Sequence, residues 1–185
     1  MTRRKIAAGT AGLALIAAGG TAAVSASGAA ETAAAPKQAV VKQTTGFEFK
    51  KNRYIKDKLR FNKDTYKVQS GGTLKLVMTV PDEGPHTVSV VKKKDLPTSF
   101  NCPACDELGK AHGADPNGNK PPKFPFVEDG KGQKKAADFN KPGDSMLSGD
   151  NKGDAVTVDV TAPAGKTLHF VCIIHPWMQA KLVVE

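Results

Sequence analysis

Apolar and polar positions alternate with a period of two along residues 46–94 and again along 155–185, and the alternation fails between them. Phe47 and Phe49 start the pattern, followed by Tyr66 and Val68, then Leu74, Leu76, Met78 and Val80, then Val88 and Val90. Downstream come Val156, Val158 and Val160, and a last apolar run over 168–184. Turn residues break these runs at Ser70-Gly71-Gly72, at Pro81-Asp82-Glu83-Gly84-Pro85 and at Pro163-Ala164-Gly165. A period of two places every second side chain on one face of a strand. Short strands parted by Gly/Pro turns predict an all-β sandwich or barrel. Helix is expected only around 57–64 or 105–112, and no internal repeat is present.

Residues 95–154 interrupt the pattern with a stretch crowded by Gly, Pro, Lys and Asp, in which Phe100, Phe124, Phe126 and Phe139 are scattered. So long a segment inside a small domain is functional or partly disordered. It is expected as a loop-rich insertion, pinned by its phenylalanines and by Cys102 and Cys105. Residues 31–45, rich in Ala, Lys and Gln, are expected as a flexible linker, so the folded domain is expected over 46–185.

The N-terminus changes the picture of composition. Arg3, Arg4 and Lys5 precede an uncharged, Ala- and Gly-rich apolar stretch, and small residues follow at Val24-Ser25-Ala26 and Gly28-Ala29-Ala30. This is the pattern of a secretory signal, expected over 1–30, and Arg3-Arg4 also partly fits a twin-arginine signal. Gly and Thr between Gly9 and Thr21 make the stretch a poor spanning helix, so no transmembrane helix is expected in the mature chain. The destination is the exterior or the cell envelope. Without the three signal cations the charge is 24 − 18 = +6, from 27 Lys+Arg and 18 Asp+Glu in the whole chain. The lysines form short runs (Lys92-Lys93-Lys94, Lys134-Lys135) without interleaved aromatics, which excludes a nucleic-acid module. They point instead to a solvated basic surface, with an acidic protein partner or an anionic envelope surface as the charged alternatives.

Candidate chemistry sits at the C-terminus. Cys172, His175 and Met178 fall at three-residue intervals within His169-Phe170-Val171-Cys172-Ile173-Ile174-His175-Pro176-Trp177-Met178, and His86 follows the Gly84-Pro85 turn at a separate strand start. Two His and one Cys with a weak axial Met are the ligand set of a blue-copper site. Thiolate and thioether suit Cu(I), while imidazole suits both oxidation states. Zinc takes a closed set of Cys and His and seldom uses Met. A strand ending at Cys172, followed by a turn stiffened by Pro176, brings His175 and Met178 back towards one point.

These residues resemble the cupredoxin family, and the short Cys172-x2-His175-Pro176-Trp177-Met178 loop is similar to that of amicyanin. Pro85-His86-Thr87-Val88 resembles the family's first-ligand segment, and Val68-x2-Gly71-x2-Leu74 its strand entry. The resemblance covers about 46–94 and 155–185. It implies a Greek-key β-sandwich, monomeric, holding one type 1 copper ion through His86, Cys172, His175 and Met178. It also implies a carrier of single electrons between larger redox partners, with partners docking near the edge of His175 and Trp177 beside it. Three features depart from the family: Thr87 stands where Asn is common, Ile173 and Ile174 fill the ligand loop, and 85 residues separate His86 from Cys172.

Cys102-Pro103-Ala104-Cys105 leaves readings open: a short-loop disulfide in an oxidising compartment, a second metal site with His112 and Asp106 or Asp115, a thioredoxin-like motif lacking its βαβ context, or two free thiols. His169 is expected to face outward. Electron transfer without catalysis is the leading functional reading, and its rival is copper storage, delivery or detoxification. A copper oxidase needs a second centre with paired His-x-His motifs, and none exists here.

Overall fold

Leu74, Leu76 and Met78 are buried while Thr73, Lys75 and Val77 between them are half-exposed, the alternation that the sequence displays. Their strand is the middle of one sheet in a computed structural model that describes residues 34–115, 120–136 and 138–185. The expected signal segment, 1–30, lies outside the described residues.

Ten strands build two facing sheets. They are β1 (Gln38–Val41), β2 (Thr65–Val68), β3 (Thr73–Val77), β4 (Thr87–Val91), β5 (Phe126–Glu128), β6 (Lys131–Gln133), β7 (Ser145–Leu147), β8 (Ala155–Asp159), β9 (Thr167–Val171) and β10 (Gln179–Val184). The smaller sheet has the order β1-β3-β8, with β1 parallel and β8 antiparallel to β3. The larger runs β6-β5-β7-β4-β9-β10-β2. Ala39, Val41, Leu74, Leu76 and Val158 of the first sheet meet Tyr66, Val68, Val88, Val90, Leu168, Phe170, Leu182 and Val184 of the second in one core. Phe170 is at its centre, with the Phe61 ring at 5.2 Å and the Tyr66 ring at 5.9 Å.

Residues 31–45 are not a linker throughout. Gln38–Val41 is a sheet strand in register with Thr73–Leu76, and Ala39, Val41 and Gln43 all point inward. Their alternation is real, but Ala and Gln carry little of it in a hydropathy pattern. Gln43 is held by Thr79, which accepts its backbone N–H at 3.0 Å and donates its hydroxyl to its carbonyl at 2.7 Å.

The alternation at Phe47 and Phe49 marks a strand but not a buried face. Phe47–Lys50 pairs with Tyr54–Asp57 as a two-stranded ribbon, and Phe47, Phe49 and Ile55 are exposed. Asn52, at φ 55, turns the ribbon, a conformation that Asn tolerates better than most residues.

Residues 95–154 are more ordered than their composition suggests. A helix, α1 (Pro103–Ala111), overlaps the second of the two expected helical windows but starts two residues earlier; Pro103 stands at its start, and Cys102 accepts the Cys105 N–H as its cap. The segment then adds β5, β6 and β7 to the edge of the large sheet, β7 pairing with β4. β4 is therefore buried along its whole length. Val88 and Val90 face the sandwich core, whereas Val91 joins Cys102, Cys105, Leu108, Val127 and Val171 in a second cluster beneath α1. Each such aliphatic side chain contributes roughly 1.5–3 kcal/mol, as an upper estimate. The segment thus covers the outer face of the strands that end at the ligand turns.

Candidate metal centre

Ligand atoms of His86, Cys172 and His175 lie within 4.8 Å of one another, the one such group of His, Cys and acidic residues among the described residues. Cys172 Sγ is 4.0 Å from His86 Nδ1 and 3.6 Å from His175 Nδ1. Both imidazoles therefore turn the same nitrogen towards one sulfur, with ring centroids 4.9 Å apart.

Local sequence explains each placement. Gly84, at φ 78, and Pro85 turn the chain into β4, so that His86 sits immediately before the strand. The loop after β7 clamps its backbone: His86 N–H donates to Ser148 Oγ at 2.9 Å, and Ser148 N–H donates to the His86 carbonyl at 2.8 Å. Cys172 follows the last residue of β9. Its N–H donates to the Met178 carbonyl at 2.9 Å, and the Met178 N–H donates to the His175 carbonyl at 2.8 Å, which closes the turn around Pro176. Met178 is fully buried in the sandwich core.

Burial governs the electrostatics. It pushes the Cys172 thiol up, against the N–H groups of Thr87, His175 and Ile174 and the Thr87 hydroxyl, all of which favour the thiolate. His86 is pushed down to about 4 by burial and then by His175, and its Nε2 is buried without a partner that could stabilise a charged ring. Burial also lowers His175, with Asp57, Glu83 and the Glu83 carbonyl acting in the opposite sense. Burial thus biases both imidazoles towards the neutral form and the thiol against ionising, a set that an incoming cation would complete.

His175 is half-buried, and the exposed Trp177 lies beside it with ring centroids 5.3 Å apart; Phe100 meets Trp177 edge-on at 5.6 Å. A cleft of about 400 Å³ runs between residues 97–100 and the Pro176-Trp177 turn. The Trp177 indole N–H donates to the Leu59 carbonyl at 3.0 Å, so the ring is held in place.

Of the sequence-predicted residues, His86, Cys172 and His175 converge, and Met178 occupies the turn that carries two of them. Cys102 and Cys105 are joined in a disulfide. His112 does not join them: its ring bonds to the Phe124 carbonyl and Ser145 Oγ. His169 is half-exposed on β9. Sequence reasoning missed Ser148 and Glu83. Glu83 had a weak signal in the turn before His86, whereas Ser148 had none, because 62 positions separate it from its partner.

No protein-family model matches the chain, and no curated protein does. Solved structures match it at low identity. Reduced auracyanin from Roseiflexus castenholzii is 16% identical over 82% of this chain and 99% of its own, with a TM-score of 0.41. Auracyanin A, a "blue" copper protein from Chloroflexus aurantiacus, is 20% identical over 81% and 99%, with a TM-score of 0.39. Amicyanin from Paracoccus versutus is 14% identical over 83% of each chain, with a TM-score of 0.34. At these scores the likeness carries no argument, and what stands is the topology itself: a mostly β pair of sheets with a Cys–His–His cluster where β4 and the β9–β10 turn meet.

Proposed function

We propose that this chain is an exported blue-copper protein of the cupredoxin kind that carries single electrons and turns over no substrate. The observation that carries this reading is the convergence of His86 Nδ1, His175 Nδ1 and Cys172 Sγ within 4.8 Å. These three would hold the metal, with the Met178 thioether as a weak fourth donor. The donor set fits copper: soft sulfur suits Cu(I), and imidazole suits both states. Copper bound there supplies a one-electron couple between Cu(II) and Cu(I).

The chain's own residues supply the rest. The Cys172–Met178 and Met178–His175 backbone hydrogen bonds hold the ligand turn in one shape, so little rearrangement accompanies a change in charge. Burial of His86 and Cys172 excludes water. The half-buried His175, with Trp177 and Phe100 beside it, is the edge through which a redox partner reaches the centre. Export rests on the N-terminal charge and apolar pattern, and the basic surface fits an acidic or envelope-associated partner.

The test is the visible spectrum of the mature protein with added Cu(II), alongside Cys172→Ala. An intense thiolate-to-copper band, absent in the variant and bleached reversibly by a mild reductant, is expected. A weak band that the substitution leaves unchanged overturns the electron-carrier reading and leaves copper storage or delivery. For the fourth donor, Met178→Leu is expected to keep the band and raise the reduction potential.

A further inference from the structure

Behind the ligand turns runs a hydrogen-bonded row of four buried side chains. His112, which ends α1, is 1% exposed. Its Nδ1 lies 2.7 Å from the Phe124 carbonyl, and its Nε2 lies 2.8 Å from Ser145 Oγ. Ser145 Oγ is 2.6 Å from Ser89 Oγ, and the Ser89 hydroxyl donates to Thr87 Oγ1 at 2.9 Å. Thr87 Oγ1 also accepts the Ile173 N–H at 2.9 Å, which sets it beside Cys172, where its hydroxyl favours the thiolate. Strand geometry makes the row possible. Thr87 and Ser89 are two apart on β4 and share its outer face, and Ser145 is registered opposite Ser89 on β7. His112 arrives from the segment that covers this face.

The protons along the row can be counted. The Phe124 carbonyl only accepts, so it takes Nδ1–H. Four contacts remain between Nε2 and the sulfur: Nε2 with Ser145, Ser145 with Ser89, Ser89 with Thr87, and Thr87 with Cys172 Sγ. Three hydroxyls supply three protons. With His112 neutral, bare Nε2 takes the Ser145 proton, Ser145 takes that of Ser89, and Ser89 takes that of Thr87; the sulfur loses its hydroxyl donor. With His112 protonated on both nitrogens, Nε2–H supplies the fourth proton and every hydroxyl turns towards the sulfur.

We propose that His112 is a positioning residue of the metal centre, deciding through Ser145 and Ser89 whether the Thr87 hydroxyl donates to Cys172 Sγ. The proposal rests on the reading of Cys172 as the copper thiolate. A hydrogen bond to that sulfur withdraws charge from it and favours the reduced metal. The reduction potential is therefore higher with His112 protonated and falls as pH rises through its titration. Burial lowers the pKa of His112, opposed by the Phe124 carbonyl. The titratable groups on the surrounding elements are Asp106, Glu107 and Lys110 on α1, Asp115 after it, Lys123 beside Phe124, Glu128 on β5, Lys131 on β6 and Asp144 before β7, whereas β4 carries none.

The experiment measures midpoint potential against pH, from about pH 4 to 8 around the histidine range, for the copper-loaded protein and for Ser145→Ala, Thr87→Val and Thr87→Ser. The expected result is a fall in potential that follows the His112 titration. Ser145→Ala and Thr87→Val remove it, and Thr87→Ser, which keeps the hydroxyl, restores it. A pH dependence common to all four proteins comes from His86 and His175; superimposed wild-type and Ser145→Ala profiles overturn the proposal. A second readout needs no copper: the ring-nitrogen NMR titration of His112 in the metal-free protein. Ser145→Ala and Ser89→Ala are expected to shift its midpoint and its Nε2 resonance, and an unmoved titration overturns the row. Absence of a thiolate band in the wild type would instead sink the electron-carrier reading, and the NMR titration would still decide the row.

Discussion

Thr87 donates its backbone N–H to Cys172 Sγ across 3.4 Å, while its chain neighbour His86 presents Nδ1 to the same sulfur at 4.0 Å. One strand entry thus delivers a ligand nitrogen and a hydrogen bond to one atom of a strand end 85 positions away. The Thr87 hydroxyl adds a third link by accepting the Ile173 N–H at 2.9 Å, so the two ligand segments are tied together.

Ser148→Ala leaves the buried His86 N–H without its acceptor. A loss of about 1–3 kcal/mol is expected, read as a lower urea midpoint with an unchanged slope. Copper should also dissociate faster, because the His86 backbone loses one of its two ties to the loop after β7. Ser148→Thr keeps the acceptor and should retain both properties.

Stability of the metal-free protein should rise with pH between about 4 and 6.5. His86 is held down to about 4 in the folded chain, against the ordinary 6.5 once unfolded. Through that window the unfolded chain binds the extra proton, so acid favours unfolding. His175 and His112, lowered by burial, act in the same sense. The contribution of His86 is on the order of 2–3 kcal/mol, fully present above pH 6.5 and lost by about pH 4. Urea unfolding at several pH values checks it; a flat profile would show that His86 is hydrated and charges freely in the fold.

Trp177 is the one Trp of the chain, and its ring lies 5.3 Å from that of His175. Cu(II) at His175 should quench most of the tryptophan emission, with an end point at one equivalent. The quench should vanish in Cys172→Ala combined with His175→Ala. Emission that ignores copper in the wild-type protein would place the metal elsewhere.

Replacing Cys102 and Cys105 together with serine should cost about 2 kcal/mol at most, because the bridge closes a loop of only three positions. A serine hydroxyl in place of the Cys102 sulfur would still be able to cap α1. The expected loss is confined to faster amide exchange over Pro103–Ala111, with the copper band unchanged. Loss of the band would mean that the helix does more for the ligand turns than cover β4.

The strands that alternate Val, Leu and Met were legible in the chain because a strand with one buried face writes its burial as a period of two. The ligand loop was legible because Cys172, His175 and Met178 share one turn, where spacing and geometry are nearly the same thing. Gln38–Val41 was not, since Ala39 and Gln43 are buried by neighbours rather than by hydrophobicity. The strands of the 95–154 segment were missed for a related reason: each is three residues long, too short to show a period. Phe47 and Phe49 carried the right period, yet which face of a ribbon is covered depends on what packs against it, and here nothing among the described residues covers them.

Residue types and spacing along the chain were sufficient for the ligand set and the strand content, which are local properties of side-chain chemistry and period. The folding of 95–154 over β4, the clamp of Ser148 on His86, the Cys102–Cys105 disulfide and the row from His112 to Thr87 were decided only in three dimensions. Each joins groups whose partner is chosen by distance across sheets or turns, and no residue on one side specifies by its type alone which residue will stand opposite.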